Sequence, residues 1–109
     1  EMIPLVTRNL AEIRAICEQF GVARLELFGS ASRGDFDPAT SDIDVIVDFL
    51  DYGLGVSDRY FGLVDALEGV LKRPVQAEFA RTLKNPYIIA SIQEERVTLY
   101  DTGHRSAAA

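Results

Sequence analysis

The sequence has no tryptophan, a single cysteine (Cys17) and a single histidine (His104). A lone cysteine cannot close an intrachain disulfide, so a reducing cytoplasm is the expected setting. With no second thiol or imidazole beside it, neither residue offers a zinc cage or a Cys/His nucleophile pair. Cys17 falls on the apolar stripe of the first helix and is expected in the core, whereas His104 lies in the polar stretch DTGHRSAAA. Dense Lys/Arg blocks are missing too, and the formal net charge is -6. Affinity for duplex DNA rests on phosphate neutralisation, so no general duplex-DNA binding is expected. The chain shows neither a leader-like apolar start nor an apolar run of bilayer length, so no membrane association is expected. The loop after the first strand also lacks the glycine spacing of a dinucleotide or Walker phosphate loop.

What remains is ordinary globular composition over 109 residues, enough for one core and one domain. That domain is expected over residues 1–101, with 102–109 as a flexible tail. A helix is expected from Pro4 to about Phe20, where Val6, Leu10, Ile13, Cys17 and Phe20 recur at helical spacing and Gly21 stops it. Strands are expected at Arg24–Phe28, Asp42–Phe49 and Val75–Phe79. A second helix is expected from Asp58 to Lys72, closed by Lys72, Arg73 and Pro74. Asn85 and Pro86 read as the cap and first residue of a last helix ending near Glu95. A short extension follows from Val97 to Tyr100. This order predicts an α+β (mixed α/β) fold, a small mixed sheet with helices packed on it.

The chemistry concentrates in LFGSASRGDFDPATSDIDVIVDF, residues 27–49. Alternation along a strand puts Asp42 and Asp44 on one face and Ile43, Val45 and Val47 on the other. Two carboxylates held that close repel, and a dication between them removes the conflict. Oxygen donors without thiol or imidazole companions favour magnesium or manganese. Directly after the preceding strand, Gly29 lets backbone approach a phosphate, and the Ser30 hydroxyl can donate to it. Arg33 and Arg24 are candidates for the remaining phosphate charge. Asp35, Asp37 and Asp48 read as solvated loop or strand-end charges. A metal-bound nucleoside triphosphate is the natural occupant.

FGSASRGDFDPATSDIDVIVDF resembles the signature of the minimal nucleotidyltransferases (MNT) of the DNA polymerase beta superfamily. The helix ending in FGV, the LKRPV approach to the third strand and LKNPYIIASIQEERVTLYD extend the resemblance to about Asp101. The loop from Ser30 to Asp42 is one residue longer than the common pattern, an insertion that loops tolerate. The resemblance implies a nucleotidyltransferase moving AMP from ATP to an acceptor hydroxyl, with Gly29 and Ser30 on the triphosphate and Asp42 and Asp44 on Mg2+. It also implies a HEPN-domain toxin as partner, a ribonuclease that some MNT antitoxins silence by adenylylating (AMPylating) a tyrosine.

One position departs from the family. A third carboxylate normally stands on the next strand, and alignment on LKNPY puts Gln76 there. An amide carbonyl can ligate a metal but cannot take a proton. Glu78, on the same face about 7 Å along the strand, is the candidate substitute. Three functions stay open: an adenylyltransferase antitoxin, an antitoxin that neutralises by binding alone, and a nucleotidyltransferase acting on a small molecule or a nucleic-acid end. Exposed apolar side chains in DYGLGVSDRYFG fit either a docking surface or turn and core packing.

Overall fold

A computed structural model describes residues 3–29, 32, 37 and 41–103. Its elements run α1 (Pro4–Arg8), α2 (Leu10–Gln19), β1 (Val22–Phe28), β2 (Ile43–Phe49), α3 (Val56–Leu71), β3 (Val75–Phe79), a 3-10 turn (Ala80–Thr82), α4 (Pro86–Glu94) and β4 (Val97–Asp101). The strands form one sheet in the order β3-β2-β1-β4. Strand β2 pairs antiparallel with β1 and parallel with β3, and β1 pairs antiparallel with β4. This is the α+β architecture expected, with the extension after the last helix upgraded to a fourth, edge strand.

The expected first helix is two. At Asn9 the side-chain amide donates to the Leu5 carbonyl at 2.8 Å and φ/ψ leave the helical region. Such local side-chain bonding competes with the backbone ladder, and the chain turns there before α2 begins. The α4 cap matches expectation: Asn85 Oδ1 accepts from the amides of Tyr87 at 2.9 Å and Ile88 at 3.4 Å.

The two faces of the sheet are covered unequally. Leu25, Leu27, Ile43, Val45, Val47 and Phe49 face α1, α2 and α3, which contribute Val6, Ile13, Cys17, Leu63, Leu67 and Leu71 to the main core. Non-polar burial on this scale drives folding. On the other face, among the described residues, Phe28 and Ile46 form a smaller cluster with Ile88 and Ile92 of α4 and Leu83. Both sheet edges carry side-chain blocks: Arg14 Nε donates to Leu99 O at 3.1 Å on β4, and the Tyr60 hydroxyl donates to Ala77 O at 2.7 Å on β3. Occupied edge carbonyls discourage strand addition. Among the described residues no helix is long and apolar enough to cross a membrane.

Candidate active site

Parallel pairing of β2 with β3 and antiparallel pairing with β1 bring three strand ends together. Phe28, Asp44 and Gln76 stand in one row across β1, β2 and β3. Gly29 follows Phe28 with φ at +75°, where a side chain is strained. A Cβ built on it would lie 2.6 Å from Asp44 Oδ2. The bare backbone of Gly29 therefore faces the Asp44 carboxylate directly, and a side chain there would be strained and would have to displace that carboxylate.

Asp42 stands one residue before β2, which begins at Ile43 rather than at Asp42 as expected. It keeps the side of the sheet that Asp44 occupies, because Ile43 between them is buried in the main core. Gln76 Nε2 donates to Asp42 Oδ2 at 3.3 Å. Glu78 pairs two rows further on, opposite Ile46. On β3 the side chain that register brings to the aspartates is thus the Gln76 amide, and the acid two residues on is kept away. Among the described residues no group of three or more His, Cys, Asp or Glu side chains could hold a metal ion. Two half-buried carboxylates, an amide carbonyl and a glycine cradle form a hard oxygen donor set of the kind Mg2+ accepts together with water and phosphate oxygens. Ser30, Arg33 and Asp35 lie outside the described residues.

Several residues that the sequence did not single out support this corner. Ser32, only 2% exposed, has its hydroxyl 2.9 Å from Gly29 O and 2.8 Å from Glu95 O, tying the Gly29 turn to the end of α4. Ser41 and Asp37 exchange bonds, Ser41 N to Asp37 O at 2.8 Å and Asp37 N to Ser41 Oγ at 2.9 Å. Arg73, read in the sequence as a helix-end charge, leaves α3 and donates from Nε and Nη2 to Ser41 O at 3.0 and 2.7 Å. The only sequence signal for it was the Lys-Arg-Pro run before the third strand.

Arg24 is not a phosphate residue. It sits five residues before Gly29, about 16 Å along the strand, and donates from Nη2 to Glu26 Oε2 at 3.1 Å. Its Nε lies 3.7 Å from Asp101 Oδ2 and is buried without a hydrogen bond. Glu26, 6% exposed, also accepts from Thr98 Oγ1 at 3.1 Å and lies 3.7 Å from Arg96 Nε. Asp48, expected in solvent, accepts the Tyr52 hydroxyl at 2.5 Å. Burial and that bond push Tyr52 up to about 12. Burial likewise pushes the Cys17 thiol up to about 12, which leaves it inert, as its core position implies. Within DYGLGVSDRYFG, Tyr52, Val56 and Tyr60 pack against the core, while Leu54 is 100% and Phe61 64% exposed.

Fold and site together define a nucleotide-transfer domain, and comparison with known proteins agrees. Residues 10–99 match the family model described as Nucleotidyltransferase domain. Two proteins of Methanocaldococcus jannaschii, each named putative protein adenylyltransferase, are similar. One is 30% identical over 83% of this chain and 97% of its own length, the other 34% identical over 73% and 79%. A solved structure described as a putative minimal nucleotidyltransferase is 26% identical, with TM-score 0.67 over 87% of this chain and 95% of that one. A toxin-antitoxin structure with AMP-PNP shares the fold at 22% identity, with TM-score 0.65 over 86% of this chain and 74% of that one. So does the complex of a tri-AMPylated Shewanella oneidensis HEPN toxin with its MNT antitoxin, at 19% identity and TM-score 0.61 over 89% and 73%. The chain is a nucleotidyltransferase and belongs to the minimal nucleotidyltransferase family.

Proposed function

We propose that this protein is a protein adenylyltransferase of the antitoxin kind. With Mg2+ and ATP it transfers AMP to a tyrosine hydroxyl of a HEPN ribonuclease toxin in the cytoplasm and so neutralises it. The observation that carries this reading is the meeting of Gly29, Asp42 and Asp44 at one corner of the sheet, with the Gly29 backbone directly against the Asp44 carboxylate. The names of the two archaeal relatives and the toxin-antitoxin structures of the same fold supply the substrate class and the partner.

In this reading the backbone of Gly29 and the hydroxyl of Ser30 donate to the triphosphate, and Arg33 meets its remaining charge. Asp42 and Asp44 hold Mg2+, which when bound neutralises charge on the reacting phosphate and its leaving group. Gln76 orients Asp42 through its Nε2 bond and can offer its carbonyl oxygen to the metal. It lowers the negative charge of the site by one relative to an acid, and it cannot take the proton of the acceptor hydroxyl. That same bond favours a second reading, an antitoxin that holds nucleotide but neutralises its toxin by binding alone.

Calorimetry with Mg-ATP tests the shared part: wild type releases heat, Asp42→Ala and Asp44→Ala do not, and a silent wild type overturns both readings. Incubation of the chain with a candidate HEPN toxin, ATP and Mg2+ then separates them. A toxin mass gain of one or more AMP units supports transfer. A tight complex without mass gain supports binding alone, and activity on other hydroxyls would move the acceptor elsewhere.

A further inference from the structure

Asp42 precedes the β2 ladder, whose pairing with β3 starts at Ile43 opposite Val75. Its backbone is therefore placed by its two neighbours, and both are held by one corner of the molecule. On one side Ser41 O accepts two N–H groups of the Arg73 guanidinium, at 3.0 and 2.7 Å. On the other side Ile43 N donates to Pro74 O at 2.9 Å. The corner is itself rigidly set. Helix α3 ends at Leu71, and Lys72 at φ 59° turns the chain out of the helix while its amide still donates to Glu68 O at 2.8 Å. Glu68 Oε2 accepts from Val75 N at 2.9 Å, which pins the start of β3 one residue before Gln76.

We infer that Arg73 is a positioning residue: by gripping the Ser41 carbonyl it sets where the Asp42 carboxylate stands relative to Gln76 and Asp44. The inference rests on the proposed metal-nucleotide reading of Asp42 and Asp44. Only a guanidinium fits the geometry, because its planar fork brings two donors to one carbonyl oxygen, whereas a lysine brings one point charge on a flexible stem. Ser41 is closed on its other side by Asp37, so removing Arg73 frees the loop end nearest the acids and leaves the main core untouched.

The test compares wild type with Arg73→Gln, Arg73→Lys and Lys72→Asn, the last an adjacent loss of charge that the left-handed turn tolerates. Two readouts are taken well below the melting temperature: amide resonances and hydrogen exchange at Ser41–Ile43, and Mn2+-ATP affinity by spin resonance. In Arg73→Gln the three amides are expected to shift and lose protection, and Mn2+-ATP to bind about tenfold or more weakly. Arg73→Lys is expected to recover part of that loss and Lys72→Asn to match wild type. Unmoved amides, or wild-type affinity in Arg73→Gln, overturn the inference, as does an equal loss in Lys72→Asn. If wild type itself fails to bind Mn2+-ATP, the metal-nucleotide reading falls with it. The amide readout alone reports whether Arg73 places the Asp42 backbone. Should Arg73→Gln unfold, Arg73→Lys carries the test, with a smaller loss in the same direction expected and none overturning.

Discussion

The antiparallel β1–β2 ladder carries acids at both ends of one sheet face. Towards Arg24, Glu26 receives the Arg24 guanidinium at 3.1 Å and lies 3.7 Å from that of Arg96, while Asp48 receives the Tyr52 hydroxyl at 2.5 Å. Towards Gly29, Asp44 meets bare glycine backbone and Asp42 meets a neutral amide. The chain uses the same residue types for opposite purposes. At one end, charge and hydroxyl partners consume the acids and tie β1 to β4. At the other, a glycine backbone and the Gln76 amide stand beside the carboxylates of Asp44 and Asp42. An acid's role is set by what the next strand puts across from it, and counting acids does not find it.

The contrast can be broken from either side. The largest effect is expected for Asp44→Ala, which should lower magnesium-dependent AMP transfer by about a hundredfold or more. A folded Asp44→Ala protein with near-normal transfer would erase the distinction between the ends. Glu26→Ala should do the reverse. It removes the nearer acid partner of the part-buried Arg24, leaving Asp101 at 3.7 Å, and should cost about 1–3 kcal/mol of stability by urea titration, with Mg-ATP affinity unchanged.

Gly29→Ala combines strain with collision, because φ is +75° and the new Cβ would meet Asp44 Oδ2 at 2.6 Å. A stability loss of about 1–2 kcal/mol together with weaker nucleotide binding is expected, and a loss of stability alone would separate the glycine from the site. Gln76→Asp sharpens the contrast instead. It restores an acid opposite Asp44 and should raise transfer by about tenfold; an unchanged rate would show that Gln76 is not the missing third position.

The smallest effect is alkaline. Tyr52, at the Arg24 end, is pushed up to about 12 from an ordinary 10. The unfolded tyrosine ionises first as pH rises, so stability is lost between about pH 10 and pH 12. Tyr52→Phe should flatten the part of the urea-midpoint profile that Tyr52 contributes, and Asp44→Ala should leave the slope as it is.

Much of this was legible in residue order because its causes act over a few positions. Helical spacing in α2 and α3, the alternation of Ile43, Asp44 and Val45, and the Asn85-Pro86 cap are local, and the structure keeps them all with shifts of one or two residues at the ends. The same locality misled at Asn9, where a single side-chain bond to Leu5 outweighs a continuous apolar stripe. It also misled at Arg24, whose nearness to Gly29 in sequence is about 16 Å of extended strand.

By itself the sequence determined three of the strands, the later helices and the nearness of two acids and a glycine along the chain, since propensity, periodicity and capping are properties of short segments. Tertiary structure decided which residues meet. Parallel pairing of β2 with β3 brings Gln76 rather than Glu78 to Asp42 across 34 residues of chain, and the turn after α3 brings Arg73 to Ser41 across 32. Register is settled by burying one face of every strand at once, and a slip of one residue would turn each of these side chains to the wrong face.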